Sequence, residues 1–513
     1  MKNLLKKQLV VILTIVFCIM ALAGCANNSS TIKDDKSPTK EEIIVLLSGE
    51  PTNLDPTKSN VHDIGNVTAY IMEGLWYSEQ EGSYSNRLVD EWELADNNTT
   101  LKIKLKENVK FSDGTPMTAE DVLWNLIRCS EAPLTQSYFR NFDKENSEVV
   151  DNHNLIVKFT KADSTFIDTC ASMRCHIVSK KAFEKDGEAG VARAPISVGP
   201  YKIEEWVTGS YIKLVANEHY YGGVPEVKKI TLKFIPESSA RLIELETGAA
   251  DIAYNIDPKD IERVNNIEGY HIVKGDSLRY YLITLSMQEP LFQNKDVRYA
   301  LTHAIDKIGL VEACTDGIGT PISTMAPPLA AEGTKVMPEI IYDVNMAKEL
   351  LSKGGYDNGF EIDLHVEPNP EMQRLAEAIQ SMWAAIGVKS NIVSIPLATY
   401  DAQNGGKFQA TIRTGSSKDI TQIWSIYEIA FGSRLNPNDK VLDDKLAELK
   451  TYFPGDPKRA ELVDEIAEYL YDIRFSYPFM TMPTVYAVSD KVEGFEFHGT
   501  TYFIDPKGWT ISK

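Results

Sequence analysis

The chain is short of the residue spacings that mark most enzymes and metal proteins. Its 513 residues hold no GxSxG, no HExxH, no GxxxxGKS or GxxxxGKT, and no glycine-rich GxGxxG after a strand. The nucleophile elbow, the zincin helix and the common phosphate-cradling loops are therefore missing. The eight histidines occur singly, without HxH or HxxxH, and the six cysteines include no CxxC, so no zinc site is expected. Cysteine is also too sparse for a disulfide scaffold. Apart from Cys18 and Cys25 near the N-terminus, there are Cys129, Cys170, Cys175 and Cys314. Cys170 and Cys175 could bridge in an oxidising compartment; the alternative is buried thiols packing as small hydrophobes. Positive charge is in deficit, with 53 Lys and Arg against 73 Asp and Glu. That balance argues against nucleic acid or anionic head groups as partners. No apolar run after residue 22 is long enough to span a bilayer, and no internal repeat is visible.

What is present begins at the N-terminus. Lys2, Lys6 and Lys7 precede the nearly uncharged stretch Leu9 to Leu22, which has the layout of a signal peptide over residues 1–24. The junction Leu22-Ala23-Gly24-Cys25 resembles a bacterial lipobox, in which cleavage leaves Cys25 as an acylated N-terminus. Two or more acyl chains give stable anchoring, at roughly 0.8 kcal/mol per buried methylene. The other reading is an ordinary secretory signal with a chance cysteine. Residues 25–41 are polar and rich in Ser, Thr, Asn and Lys, the composition of a flexible tether. The expected location is the outer face of the cytoplasmic membrane, with the lipid on Cys25 as the attachment.

The rest is too long for one hydrophobic core. Ile43 to Leu47 reads as a buried strand, and Leu101, Ile103 and Leu105 alternate with lysines as on a half-buried one. Thr118 to Asp121 has capping-box spacing ahead of a helix carrying Val122, Leu126 and Cys129. Tyr201 to Trp206 and Tyr211 to Ala216 flank Thr208-Gly209-Ser210 as a hairpin. Helical periodicity covers 238–247, 296–305, 344–351, 372–386 and 460–471, with strands expected at 230–235, 362–366, 390–393 and 408–414. The alternation of the C-terminal half indicates an α/β domain.

Phe111-Ser112-Asp113-Gly114-Thr115-Pro116-Met117-Thr118-Ala119-Glu120-Asp121-Val122 resembles a signature of the extracytoplasmic solute-binding proteins of family 5. That family includes the oligopeptide-, dipeptide- and nickel-binding lipoproteins of ABC importers. Glu50 to Pro56 with Glu73-Gly74-Leu75 resembles its opening. Gly199-Pro200-Tyr201, Trp206, Asn217 and Tyr220 to Gly223 resemble its centre. Leu245 to Gly248, Asp251 to Ala253, Asp296 to Leu301, Ala304 to Lys307 and Ala347 to Leu351 follow in the family's order. The resemblance implies an α/β, periplasmic-binding-protein type II-like two-lobe fold with an extra small domain inserted in lobe I. Lobe I would comprise 42–80, 190–275 and 485–513, the insert 81–189, and lobe II 276–484. It further implies a non-enzymatic receptor, a monomer without cofactor or resident metal. Such a receptor captures a short peptide and delivers it to ABC permease subunits. Rival readings are a nickel-chelate, metallophore or opine-type receptor of the same fold, a peptide-pheromone signalling receptor, and a lipoprotein hydrolase.

Candidate ligand residues follow from the same resemblance. In peptide binders a loop at Gly415-Ser416-Ser417-Lys418-Asp419 presents an aspartate to the peptide's α-amino group, and Asp419 lies at the matching place. Its alternative role is the N-cap ahead of Ile420. Ser416 stands where that loop often has Trp, which Trp424 would replace as an aromatic wall, with Tyr427 beside it; both are alternatively core. Arg413, leaving the buried face as its strand ends, could fork onto a ligand carboxylate or make a surface ion pair. In lobe I the Glu50–Asp55 loop, with Glu50 and Asn53, would face the cleft. His62, in the polar stretch 59–63, is either a chelate contact or a solvated loop histidine. Tyr280, Tyr281 and Met287 complete the set, with Leu285-Ser286-Met287 replacing the family's asparagine-bearing pattern.

Overall fold

The computed structural model describes residues 41–58, 62–79, 84–330, 332–396, 408–416, 420–425, 439–496 and 505–512. The expected signal, Cys25 and nearly all of the tether lie outside them.

Glu42–Leu47 explains the first sheet. Its side chains alternate between two apolar layers: Ile43, Val45 and Leu47 enter one core with Val67, Ile230 and Leu232, while Leu46 enters another with Leu242 and Leu245. A strand buried on both faces must be central, which accounts for its unbroken apolar run. The seven strands lie in the order Tyr270–Gly275, Thr484–Ser489, Ile252–Tyr254, Glu42–Leu47, Lys229–Phe234, Tyr211–Ala216, Tyr201–Val207. Glu42–Leu47 pairs in parallel with its two neighbours, and the strands beyond alternate antiparallel.

The second sheet has six strands in the order Thr320–Pro321, Ser476–Thr481, Arg279–Leu285, Ala410–Ser416, Phe360–Val366, Val388–Ser394. The last three are mutually parallel, and Arg279–Leu285 runs against them. Helices Lys295–His303, Val344–Lys353 and Pro370–Ala384 carry apolar stripes onto this sheet, where Trp383 and Ile379 are fully buried. Pro370 at the helix start is preceded by Asn369, whose side chain accepts from Met372 N at 2.9 Å, a cap with Pro in the first turn.

Between Leu47 and Tyr201 the chain builds a four-stranded antiparallel sheet, ordered Val89–Ala95, Thr100–Leu105, Asn154–Phe159, Phe142–Val149. Leu101, Ile103 and Leu105 point inward onto helix Ala119–Glu131, while Lys102 and Lys104 are solvated. Asp121 accepts from Thr118 N at 3.0 Å, closing the start of that helix.

Three sequence expectations are altered. The strand placed at 408–414 runs from Ala410 to Ser416, because the ladder from Arg279–Leu285 carries it two residues further; Thr411 is buried as well. The boundary between 189 and 190 falls inside helix Lys180–Arg193, whose Phe183 and Val191 pack on the first sheet's core. Finally, His62 opens helix His62–Ile71 instead of lying in a loop. The four described cysteines, Cys129, Cys170, Cys175 and Cys314, are free and buried, with Cys170 Sγ and Cys175 Sγ 3.5 Å apart, the contact of two thiols.

Candidate functional site

Strand direction locates the site. Tyr270–Gly275 runs with Glu42–Leu47, so Gly275 lies at the edge where Leu47, Phe234 and Tyr254 end. In the second sheet Arg279 and Thr481 lie at the edge where Val366, Ser394 and Ser416 end. Both connections between the sheets, 276–278 and 482–483, therefore join carboxyl-terminal edges. Those edges face one another across a two-stranded hinge, and such edges are where α/β sheets collect ligands. The hinge strands are tied: Ser277 Oγ donates to Met482 O at 2.5 Å and accepts from Arg279 N at 3.0 Å. Met482 N in turn donates to Arg279 O at 3.1 Å.

On the first lobe's rim, both carboxylate oxygens of Glu50 are occupied. Trp206 Nε1 donates to one and Gly209 N to the other, each at 2.7 Å. Arg193 covers the Trp206 face at 3.6 Å and donates to Thr208 Oγ1 at 2.9 Å, so the indole is held at edge and face. Glu50 thus fixes the 208–210 hairpin turn at the rim. Asn53 Oδ1 accepts from Asp55 N at 2.7 Å, a local turn bond. Asp55 is wholly buried, accepts from Thr57 N and Oγ1 at 2.9 Å, and pairs with Arg128 of the inserted domain. Buried Arg241 donates to Ile235 O, Pro236 O and Asn255 O at 2.8, 2.8 and 3.0 Å, joining the loops after two parallel strands.

On the second lobe's rim, Arg279 Nη2 donates to both oxygens of Glu371 at 3.0 Å, and the Tyr281 hydroxyl donates to the same carboxylate. Tyr281 is itself fully buried, which makes it part of the core and not a ligand wall. Tyr280 is also buried, its ring lying over Gly415 in the adjacent strand. A Cβ on Gly415 would sit 2.4–2.7 Å from that ring, so only glycine permits this approach. Trp424 departs from its expected pocket role in the same way: it is fully buried among Ile420, Ile423 and Leu446, with Nε1 donating to Met325 O at 3.2 Å. A large ring on the short helix Ile420–Ser425 docks it onto lobe II, leaving no face for a ligand. Met287 packs partly buried against the same cluster. Arg413 is half-buried opposite Leu282, and Ser416 is exposed as the last residue of its strand. Ser417, Asp419 and Tyr427 lie outside the described residues, as does everything about the His62 side chain.

Sequence reasoning missed the Arg279–Glu371–Tyr281 cluster and the Arg193–Trp206–Glu50 stack. Their partners are 90 or more residues apart in most cases, so no local spacing signals them. The cap-and-proline start at Asn369-Pro370 was the available hint, since it places Glu371 at a strand-to-helix turn. The Asp113 motif, by contrast, is local architecture. Asp113 Oδ1 accepts from Thr115 N and Oγ1 at 2.9 and 2.6 Å, and Gly114 sits at φ +87° against His219. Among the described residues, no group of three or more His, Cys, Asp or Glu could hold a metal ion, and no helix is long and apolar enough to cross a membrane.

Comparison with known proteins agrees with this geometry. Residues 83–436 match the family model of bacterial extracellular solute-binding proteins, family 5. Heme-binding protein A of Haemophilus influenzae is 26% identical over 434 residues, covering 76% of this chain and 77% of its own. The glutathione-binding protein GsiB of Escherichia coli K12 is 27% identical over 439 residues, covering 82% and 85%. Among solved structures, the periplasmic binding protein DppA of Helicobacter pylori, in complex with the peptide STSA, superposes with a TM-score of 0.79 at 20% identity, covering 92% of this chain and 98% of that one. The matched span, the two-lobe α/β fold and the converging strand ends agree: this chain belongs to the bacterial extracellular solute-binding proteins, family 5.

Proposed function

We propose that the protein is the lipid-anchored receptor of an ABC importer, capturing a short peptide between its lobes and passing it to the permease. The observation that carries this reading is the convergence of both sheets' carboxyl edges on one hinge, in a chain of the solute-binding family. Lobe closure around a ligand needs no chemistry. Ligand binding favours the closed state, and the permease responds to that state. The protein is accordingly a monomeric binder and not an enzyme. Lobe I is assigned residues 42–80, 190–275 and 485–513, with the insert at 81–189 and lobe II at 276–484; the helix Lys180–Arg193 argues for moving the insert's end to about 179. The tether of residues 25–41, acylated at Cys25, keeps the receptor near its permease and raises its effective concentration there.

Within the cleft, Asp419 is assigned to the peptide's α-amino group and Arg413 to a carboxylate, with Ser416 and Ser417 lining the loop between them. Main-chain contacts at the strand edges would accept varied side chains, as expected of a peptide receptor. Native mass spectrometry of the purified protein, with the released ligand identified, tests the reading directly. A peptide supports it; a metal chelate, heme or turnover of the ligand overturns it. Asp419→Ala should weaken a free-amine peptide by about 2–5 kcal/mol relative to its N-acetylated form, because a desolvated charge pair is lost. Equal loss for both refutes the assigned role.

A further inference from the structure

Among the described residues, and outside the hinge residues themselves, the inserted domain touches lobe II at one built contact. Ser164, 2% exposed at the start of helix Thr165–Ala171, donates from its backbone N to Lys450 O at 2.9 Å. Its hydroxyl oxygen accepts from Nη1 of Arg459 at 2.9 Å. Arg459 has no exposed surface; it lies in the first turn of helix Pro457–Ile473. Its Nε donates to Glu332 at 2.6 Å and its Nη1 to Tyr452 O at 2.9 Å. The guanidinium thus organises the turn between helices Lys440–Leu449 and Pro457–Ile473 and offers one further hydrogen bond to the insert. Phe453, in that turn, packs against the insert's own apolar core. On the insert side the ground is equally fixed. Asp163 accepts from Thr165 N and Oγ1 and from Asn141 Nδ2, at 3.0, 2.6 and 3.0 Å.

We propose that Ser164 and Arg459, with Phe453, form a latch by which the inserted domain grips lobe II and sets how far the lobes close before any ligand arrives. The inference rests on the closing-lobe reading. The insert is built on lobe I, tied to it by the buried Asp55–Arg128 pair and by Arg87 to Asp505 at 3.1 Å. Hinge opening must therefore part lobe II from the insert and break this contact. A buried hydrogen bond to a charged donor, together with an aromatic side chain partly withdrawn from water, favours the closed state in the empty protein. A ligand then has less closure left to drive, so its apparent affinity includes the latch. Ser164 and Arg459 are positioning residues: they act on the ligand through lobe geometry.

The test uses spin labels at Val150→Cys on the insert and Val441→Cys on lobe II, both exposed in the wild type, with distances measured by pulsed electron paramagnetic resonance without ligand. Ser164→Ala, which removes only the hydroxyl contact, should lower the closed-to-open ratio by roughly ten- to a hundredfold, the scale of one hydrogen bond to a charged group. Phe453→Ala should shift it in the same direction while leaving the Arg459 bonds intact. Each should speed release of a tripeptide probe, such as trialanine, more than it slows association. A lowered melting temperature with an unchanged empty-state distance distribution, in both variants, would mean that the contact is structural only and overturns the latch. The distance readout needs no ligand, so a failure of the peptide reading leaves it interpretable. An empty protein with a single, fixed interlobe distance in every variant overturns the closing-lobe reading itself.

Discussion

His176 offers a pH experiment with a calculable size. It lies buried beside the 3-10 turn Met173–Cys175 and lines a cavity of about 40 Å³ with Glu73, Trp76, Arg87 and Asp505. Its Nδ1 has no hydrogen-bond partner among the described residues. Burial alone pulls its pKa from 6.5 to about 4, because the charged ring would lose its hydration without compensation. The folded state therefore binds fewer protons than the unfolded chain between those two values. The contribution is intact above pH 6.5 and is lost progressively as the pH falls toward 4. A difference of that size corresponds to about 3 kcal/mol once both limits are passed. Glu73 opposes it: burial pushes its carboxyl up, against the influence of Arg87, Tyr221 and Tyr220, so protonation there favours the folded state as pH falls. The wild-type curve contains both effects, and His176→Gln separates them, since glutamine does not titrate. Urea unfolding of the two proteins at pH 7.5, 6.5, 5.5 and 4.5 should give stabilities whose difference moves in the variant's favour by about 2.5 kcal/mol across the series, which stops short of the lower limit. Parallel curves would refute the claim that this imidazole is held neutral by burial.

Two other substitutions probe the cleft's frame. Gly415→Ala places a methyl within 2.7 Å of the Tyr280 ring and should cost about 1–3 kcal/mol by thermal or urea unfolding, with Tyr280→Leu relieving part of the loss; additive effects would refute the clash. Ser277→Ala removes the bond to Met482 O between the hinge strands and should lower stability by about 1 kcal/mol while broadening the interlobe distance distribution. An unchanged distribution would remove Ser277 from the hinge.

Much of this protein was legible in the sequence because its elements carry strong local patterns. The apolar run 43–47, the alternation at 101–105, the hairpin across Thr208-Gly209-Ser210 and the helices at 344–351 and 372–386 all appear within a residue or two of their expected places. The Asp113-Gly114-Thr115-Pro116 turn and the Thr118 cap were readable for the same reason: their hydrogen bonds join residues two or three apart. What spacing could not decide is which side chains face the cleft. Tyr281 and Trp424 are of types found equally in cores and pockets, and only the sheet's neighbours bury them. Glu50 lies in the expected rim loop, yet its carboxylate is committed to Trp206 and Gly209, more than 150 residues away. The Arg279–Glu371 pair, the Ser277–Met482 tie and the Ser164–Arg459 contact likewise join residues 92, 205 and 295 positions apart. By itself, then, the sequence determined the elements, the family and the expectation of an anchored receptor, because those rest on short-range pattern and on motif order. The tertiary structure alone decided the direction in which strand ends meet, which polar groups are already satisfied, and where the insert grips the second lobe. Such contacts depend on chain closure over hundreds of residues, and no local periodicity encodes them.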